Sequence, residues 1–234
     1  MKRFGTEYAG FYYPSTLDGL DSSSIIYCVG AGEDISHDIS IAKETGASIH
    51  IFDPTPRAMD HIALVKRVLK GHAAEPNKRY GGGDPFYWDY FENFDGDVNK
   101  IFSYSWGIYT KSEILQFYLP SNPEYVSCSV VKGMKSDRFI EVPVKTLEDT
   151  MKELGHDHID LLKLDIEGCE CEVITQMLQN KIFPKYLAVD FDIGWTGETI
   201  RNRQICYDTI NKLKENGYNV LHHNNAEWSF IKVN

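Results

Sequence analysis

Residues 159–170 read IDLLKLDIEGCE, an apolar run from Ile159 that ends in Asp165 and Glu167 immediately before Gly168. A short apolar run bounded by a turn signal predicts a buried strand, here Ile159 to Asp165. Side chains two apart share a strand face, so Lys163, Asp165 and Glu167 are expected together, beside the turn that Gly168 permits. Crowded carboxylates repel and need a cation, a proton or a ligand to coexist. From this segment alone, a solvated strand end with a helix-capping acid competes with a functional site.

On both sides of this segment short apolar strands alternate with amphipathic helices, which predicts one α/β domain over 1–234 with a mostly parallel sheet covered on both faces. Ser24 to Val29 and Ser48 to Phe52 are the first two strands. Between them Ile35, Ile39 and Ala42 recur at helical spacing, and Gly46 is placed to end the helix. Thr55 and Pro56 read as N-cap and first-turn proline of a helix that stops at Gly71. Lys100 to Tyr104 is a third strand, and Ile114 to Leu119 with Phe139 to Val144 an added antiparallel pair. Thr146 caps a helix ended by Gly155. After the central segment come a helix to about Asn180, a strand from Tyr186 to Asp192, a helix from Thr199 to Asn216, and an antiparallel closing pair, Asn219 to His223 with Trp228 to Val233.

Two stretches stand outside this rhythm. Residues 1–23 form an N-terminal extension, and 72–98 an insertion rich in aromatic rings with three consecutive glycines, Gly81 to Gly83. Long inserted segments in compact domains are commonly lids or binding loops, which makes Trp88 and Tyr90 candidates for a substrate wall. A local aromatic plug on the sheet edge is the equal alternative.

The 234 residues carry a net charge of -10, which gives a phosphate backbone nothing to bind and argues against nucleic acid. Five cysteines, an odd number without paired spacing, read as reduced and mostly buried thiols. No apolar core of signal-peptide length opens the chain and no stretch is long enough to span a bilayer, so a cytoplasmic protein without a membrane partner is the expectation.

In a parallel sheet, ligands sit at the carboxyl ends of the strands. The first such turn is Val29-Gly30-Ala31-Gly32, where two glycines let a ligand approach the backbone. Asp53 ends the second strand at the spacing of an acid that accepts ribose hydroxyls. A Gly-x-Gly alone is equally explained by a structural turn, and Asp53 tips the reading toward a nucleoside. A dinucleotide fingerprint would have a third glycine where Ile35 stands. A single nucleoside with a short anionic tail fits better, and S-adenosylmethionine is such a molecule.

VGAGED, IHIFDPTP, VPVKTLEDTM, IDLLKLDIEGCE and the closing ENGYNV and EWSFI together resemble the FkbM-type family of S-adenosylmethionine-dependent methyltransferases, also described as the methyltransferase 21 type. The resemblance runs from about Ile25 to the end. It implies a class I Rossmann-like methyltransferase fold with seven strands, the last inserted antiparallel. It also implies that Val29, Gly30, Ala31 and Gly32 line the cofactor, that Asp53 beside Pro54 holds the ribose, and that Ser105, Trp106 and Gly107 lie near the adenine.

Methyl transfer to a hydroxyl must dispose of a proton, and a positioned carboxylate, histidine or metal-bound oxygen could take it. Asp165 and Glu167 at one strand end, with Asp190 and Asp192 at the next, are the catalytic candidates, and Asp165 with Asp190 or Asp192 could instead hold a divalent cation such as Mg or Mn. Asp165 also borders the cofactor. His222 is a secondary candidate for contacting substrate, with His223 and Glu227 nearby. The resemblance implies O-methylation, and the aromatic insertion would suit a sugar or glycan hydroxyl. A small secondary metabolite is the alternative acceptor. A nicotinamide-dependent oxidoreductase and a non-catalytic nucleoside-binding domain are the alternatives from other classes.

Overall fold

A computed structural model describes the chain except residues 77, 123, 131–135, 192–198, 225 and 234, and describes only the backbone of 199–202. The N-terminal extension forms a hairpin of β1 (Lys2–Phe4) and β2 (Phe11–Tyr13). Two strand–helix units follow: β3 (Ile25–Val29), α1 (Ser36–Thr45), β4 (Ser48–Phe52) and α2 (Pro56–Leu69). Next come β5 (Ile101–Tyr104), β6 (Gly107–Ile108), β7 (Glu113–Tyr118), β8 (Phe139–Lys145) and α3 (Leu147–Leu154). The chain closes with β9 (Leu161–Leu164), α4 (Glu170–Gln179), β10 (Tyr186–Asp190), α5 (Thr199–Glu215), β11 (Tyr218–Asn224) and β12 (Glu227–Lys232).

The main sheet has seven strands in the order β11-β12-β10-β9-β3-β4-β5. The five from β10 to β5 run parallel, and β12 runs antiparallel to both β10 and β11. Alternation within the central strands divides the core. Ile26 and Cys28 of β3, with Ile49 and Ile51 of β4, pack against Ile39 of α1 and Ile62 of α2. Tyr27 and Val29 turn the other way, toward Met151 of α3, Ile174 of α4 and Leu213 of α5. Period-two burial on both faces is why these strands are apolar almost throughout. The antiparallel pair β7 and β8 joins β6 in a separate three-stranded sheet.

Local signals account for the helix ends. Thr146 Oγ1 accepts from the Asp149 amide at 3.0 Å, and α3 stops at a left-handed Gly155. Thr55 stands at the start of α2 with Pro56 in the first turn, but its hydroxyl does not cap the helix; it donates to Asp53 Oδ1 at 2.6 Å. The central strand is shorter than the sequence suggests, with Leu164 its last residue; Asp165 opens the loop, its amide making the last bond to β3.

The 72–98 insertion is a plug. Tyr80, Tyr87 and Phe91 are buried in the same core cluster as α1 and α2, and Trp88 packs edge-on against Tyr80 and Tyr87. The Tyr87 hydroxyl accepts from the Ile35 amide at 3.2 Å and meets His61 Nε2 at 2.7 Å. Burying several rings against a helix face releases more apolar area from water than holding them over an open cleft. No helix among the described residues is long and apolar enough to cross a membrane.

Candidate functional site

A cleft of about 830 Å³, including its open mouth, lies at the carboxyl ends of β3, β4 and β9. Its floor is the 29–32 turn, and its walls include Asp53, Pro54, Ile108, Tyr109, Asp165 and Glu167. Tyr8 and Ala9 from the tip of the N-terminal hairpin also border it, as do Val126, Ser127 and Cys128.

The turn and the central loop are built against each other. Gly30 has φ +83°, and a Cβ there would lie 1.8 Å from the Asp165 carbonyl oxygen, so only glycine fits. The Asp165 amide donates to the Val29 carbonyl at 3.1 Å. Lys163 Nζ donates to the Gly30 carbonyl at 2.6 Å and lies 3.5 Å from Asp165 Oδ2. Lys163 is 1% exposed. Burial disfavours its charge, yet Asp165, Asp38 and Asp34 more than offset that and hold its pKa above the ordinary lysine value. The face-sharing expected of Lys163 and Asp165 is therefore real, and Asp165 is held at the cleft with its side chain 32% exposed.

Asp53 is engaged on all sides. Its Oδ2 accepts from the Ala31 and Gly32 amides at 2.9 and 3.0 Å, and its Oδ1 from the Thr55 amide and hydroxyl at 2.8 and 2.6 Å. Four donors match the lone-pair capacity of a carboxylate. In this arrangement Asp53 clamps the glycine turn as well as bordering the cleft. Beyond the turn, Glu33 pairs with Arg57 at 2.8 Å and Lys78 at 2.5 Å, which hold its carboxyl below the ordinary range against the opposing cost of burial.

Other candidates fall elsewhere. Glu167 borders the cleft with φ +59°, its carbonyl accepting from Ser129 Oγ at 2.6 Å. The residue that organises the turn is Glu170, whose carboxylate accepts from the Ile166 and Gly168 amides at 2.8 and 3.0 Å. Its place directly after Gly168-Cys169 at the start of a helix was the available signal. Ser105 and Trp106 do not line the cleft. Trp106 is drawn into a tilted contact with Tyr104 and under the Lys145 ammonium, which leaves Gly107, Ile108 and Tyr109 as the wall. Trp88 and Tyr90 do not line it either, because the insertion packs on α1. His222 packs against Tyr12 at 4.3 Å and Glu227 binds Arg3 at 3.1 Å in the seam between hairpin and sheet, while His223 stacks on Trp228 across β11 and β12.

Asp190 ends β10 opposite Glu227, and it is not among the cleft residues. Asp192 lies outside the described residues. Among those described, Asp165 and Asp190 belong to no cluster of three metal-ligating groups.

Tyr8 was missed because nothing in a 23-residue extension announces that its turn reaches a sheet end formed more than a hundred residues later. The residue is 54% exposed, but its hydroxyl is sheltered at the cleft, where desolvation and the nearby Asp165 and Glu167 raise its pKa against the opposing effect of a bond to Ser127.

A family model described as Methyltransferase FkbM domain matches residues 42–220, a span that takes in Asp53, Asp165 and Asp190. No curated protein matches the chain. With the cleft at the strand ends and a match over well more than half its length, the chain belongs to the FkbM methyltransferase domain family.

Proposed function

We propose that this chain is an O-methyltransferase that uses S-adenosylmethionine to methylate a sugar or glycan hydroxyl, on a class I methyltransferase fold. The 29–32 turn would hold the cofactor in the cleft, Asp53 would border its ribose, and Ile108 with Tyr109 would offer an apolar wall to its adenine. The acceptor oxygen attacks the methyl carbon as the carbon–sulfur bond breaks. The hydroxyl proton passes to Asp165, and S-adenosylhomocysteine leaves. Positioning supplies much of such a displacement, and a placed base a further factor of about 10²–10⁴.

The observation that supports this reading most is the joining of Asp165 to the glycine turn, which sets a carboxylate beside the place where a nucleoside would be held. A sugar is favoured over a small secondary metabolite by the polar groups at the acceptor end, where Asp165, Glu167, Ser127 and the Tyr8 hydroxyl converge.

The test is release of S-adenosylhomocysteine across a panel of sugars and small phenolic or aliphatic alcohols, with and without EDTA. Turnover confined to sugars supports the reading, and turnover only on small metabolites replaces the acceptor class. Restoration by Mg or Mn after chelation would assign Asp165 to a cation. Asp165→Asn is expected to lower kcat by about 10²–10⁴-fold with S-adenosylhomocysteine affinity within a few-fold. Unchanged turnover removes Asp165 as base, and calorimetric binding of NADH but not S-adenosylhomocysteine would favour an oxidoreductase.

A further inference from the structure

Beneath the glycine turn, on the face of the sheet covered by α1, Cys28, His37 and Asp38 bring a sulfur, an imidazole nitrogen and a carboxylate oxygen within 4.8 Å of one another. All three residues are 1% exposed or less. His37 Nδ1 and both oxygens of Asp38 have no hydrogen-bond partner within the protein. His37 Nδ1 and Asp38 Oδ2 stand 3.7 Å apart, too far for a hydrogen bond. The Cys28 thiol, His37 and Lys163 lie near enough to favour the Asp38 charge, but none makes a well-formed hydrogen bond to it, so the three polar atoms converge in the interior without a good partner.

The surroundings define what that would be. Tyr13 OH lies 3.0 Å from His37 Nε2; in the tautomer where Nε2 donates to that hydroxyl, the bond is the outer one that orients a metal-bound imidazole, and Nδ1 keeps its lone pair inward. Lys163 is close enough to stabilise the Asp38 charge, but its ammonium is committed to the Gly30 carbonyl and Asp165. A divalent ion bound by a thiolate, a carboxylate and a neutral imidazole forms a neutral unit, so Lys163 keeps its pairing with Asp165 and no net charge is buried. Tetrahedral zinc separates such donors by roughly 3.3–3.6 Å, so closure asks a shift on the order of half an ångström at each.

We propose that Cys28, His37 and Asp38 bind a zinc ion that staples the end of β3 to the start of α1, fixing the glycine turn between them from below. Binding releases the Cys28 thiol proton to solvent, and neither metal nor protein changes oxidation state. The site is separate from the acceptor carboxylates and independent of the reaction proposed above.

The full chain, produced in zinc-supplemented medium and purified without chelator or histidine tag, is expected to carry about one zinc per chain by elemental analysis. Replacement by cobalt should give a thiolate-to-metal absorption band. Both signals should be lost in Cys28→Ser and kept in Cys128→Ser. Should Cys28→Ser fail to fold, the native chain still decides: a zinc-specific chelator should lower its melting temperature, and zinc but not magnesium should restore it. Wild-type protein with less than about a tenth of an equivalent of metal and no cobalt–thiolate band overturns the proposal. So does zinc retained in a folded Cys28→Ser variant.

Discussion

Lys163 shows how much one buried side chain can carry. It sits opposite Cys28 in the β3–β9 register, and its ammonium bridges the glycine turn to Asp165. Lys163→Met would fill similar volume but remove the ammonium that supports Asp165 and the Asp38 charge, a loss of about 3–5 kcal/mol in the metal-free protein by the usual cost of breaking a buried pair. Urea denaturation of the variant should show that loss, and titration with S-adenosylhomocysteine should show weaker binding even where the protein remains folded. An unchanged denaturation midpoint would mean that Lys163 does not support the Asp38 charge. The sequence placed Lys163 and Asp165 on one face correctly, because strand periodicity is local. It gave no hint that Asp165 would also touch Gly30, since that contact joins residues 135 positions apart.

Among the elements, the aromatic insertion is the most consequential. Tyr87 ties it to α1 through the Ile35 amide and to α2 through His61, so Tyr87→Phe should cost about 1–3 kcal/mol by leaving a buried donor unmet. Burial lowers the His61 pKa from 6.5 to about 4. The unfolded chain therefore takes up a proton between those values that the folded chain refuses, and stability falls as pH drops from 6.5 toward 4. For His61 the loss is on the order of 3 kcal/mol, complete at the lower end and absent above the upper. Urea midpoints from pH 7.5 to 4.5 should decline more steeply in wild type than in His61→Gln; equal slopes would mean that His61 is solvated. Composition marks these rings as important but does not say which surface they meet. Burial against α1 decided between wall and plug.

Across the whole molecule the N-terminal hairpin closes the structure. Phe4, Phe11 and Tyr13 are buried, Arg3 reaches Glu227 on β12, and the Thr6 hydroxyl donates to Asp34 at the start of α1. Phe4→Ala should cost about 3–5 kcal/mol, or roughly 6–20 °C in melting temperature for a chain of this size. Calorimetry checks this, and a shift under two degrees would mean that the hairpin docks without contributing to the fold. The sequence by itself did not show the hairpin of β1 and β2, but from Ile25 onward it determined the order of strands and helices, apart from the short β6, along with the helix stops at Gly46 and Gly155 and the location of the candidate site at strand ends. Each follows from periodicity, a cap or a turn within a few residues. Only the tertiary structure decided that Asp53 clamps the glycine turn, that Trp106 turns from the cleft, that Tyr8 borders it, and that Cys28, His37 and Asp38 meet. Those outcomes depend on which apolar faces are buried together and which polar atoms then need partners, and both are settled between segments distant in the chain.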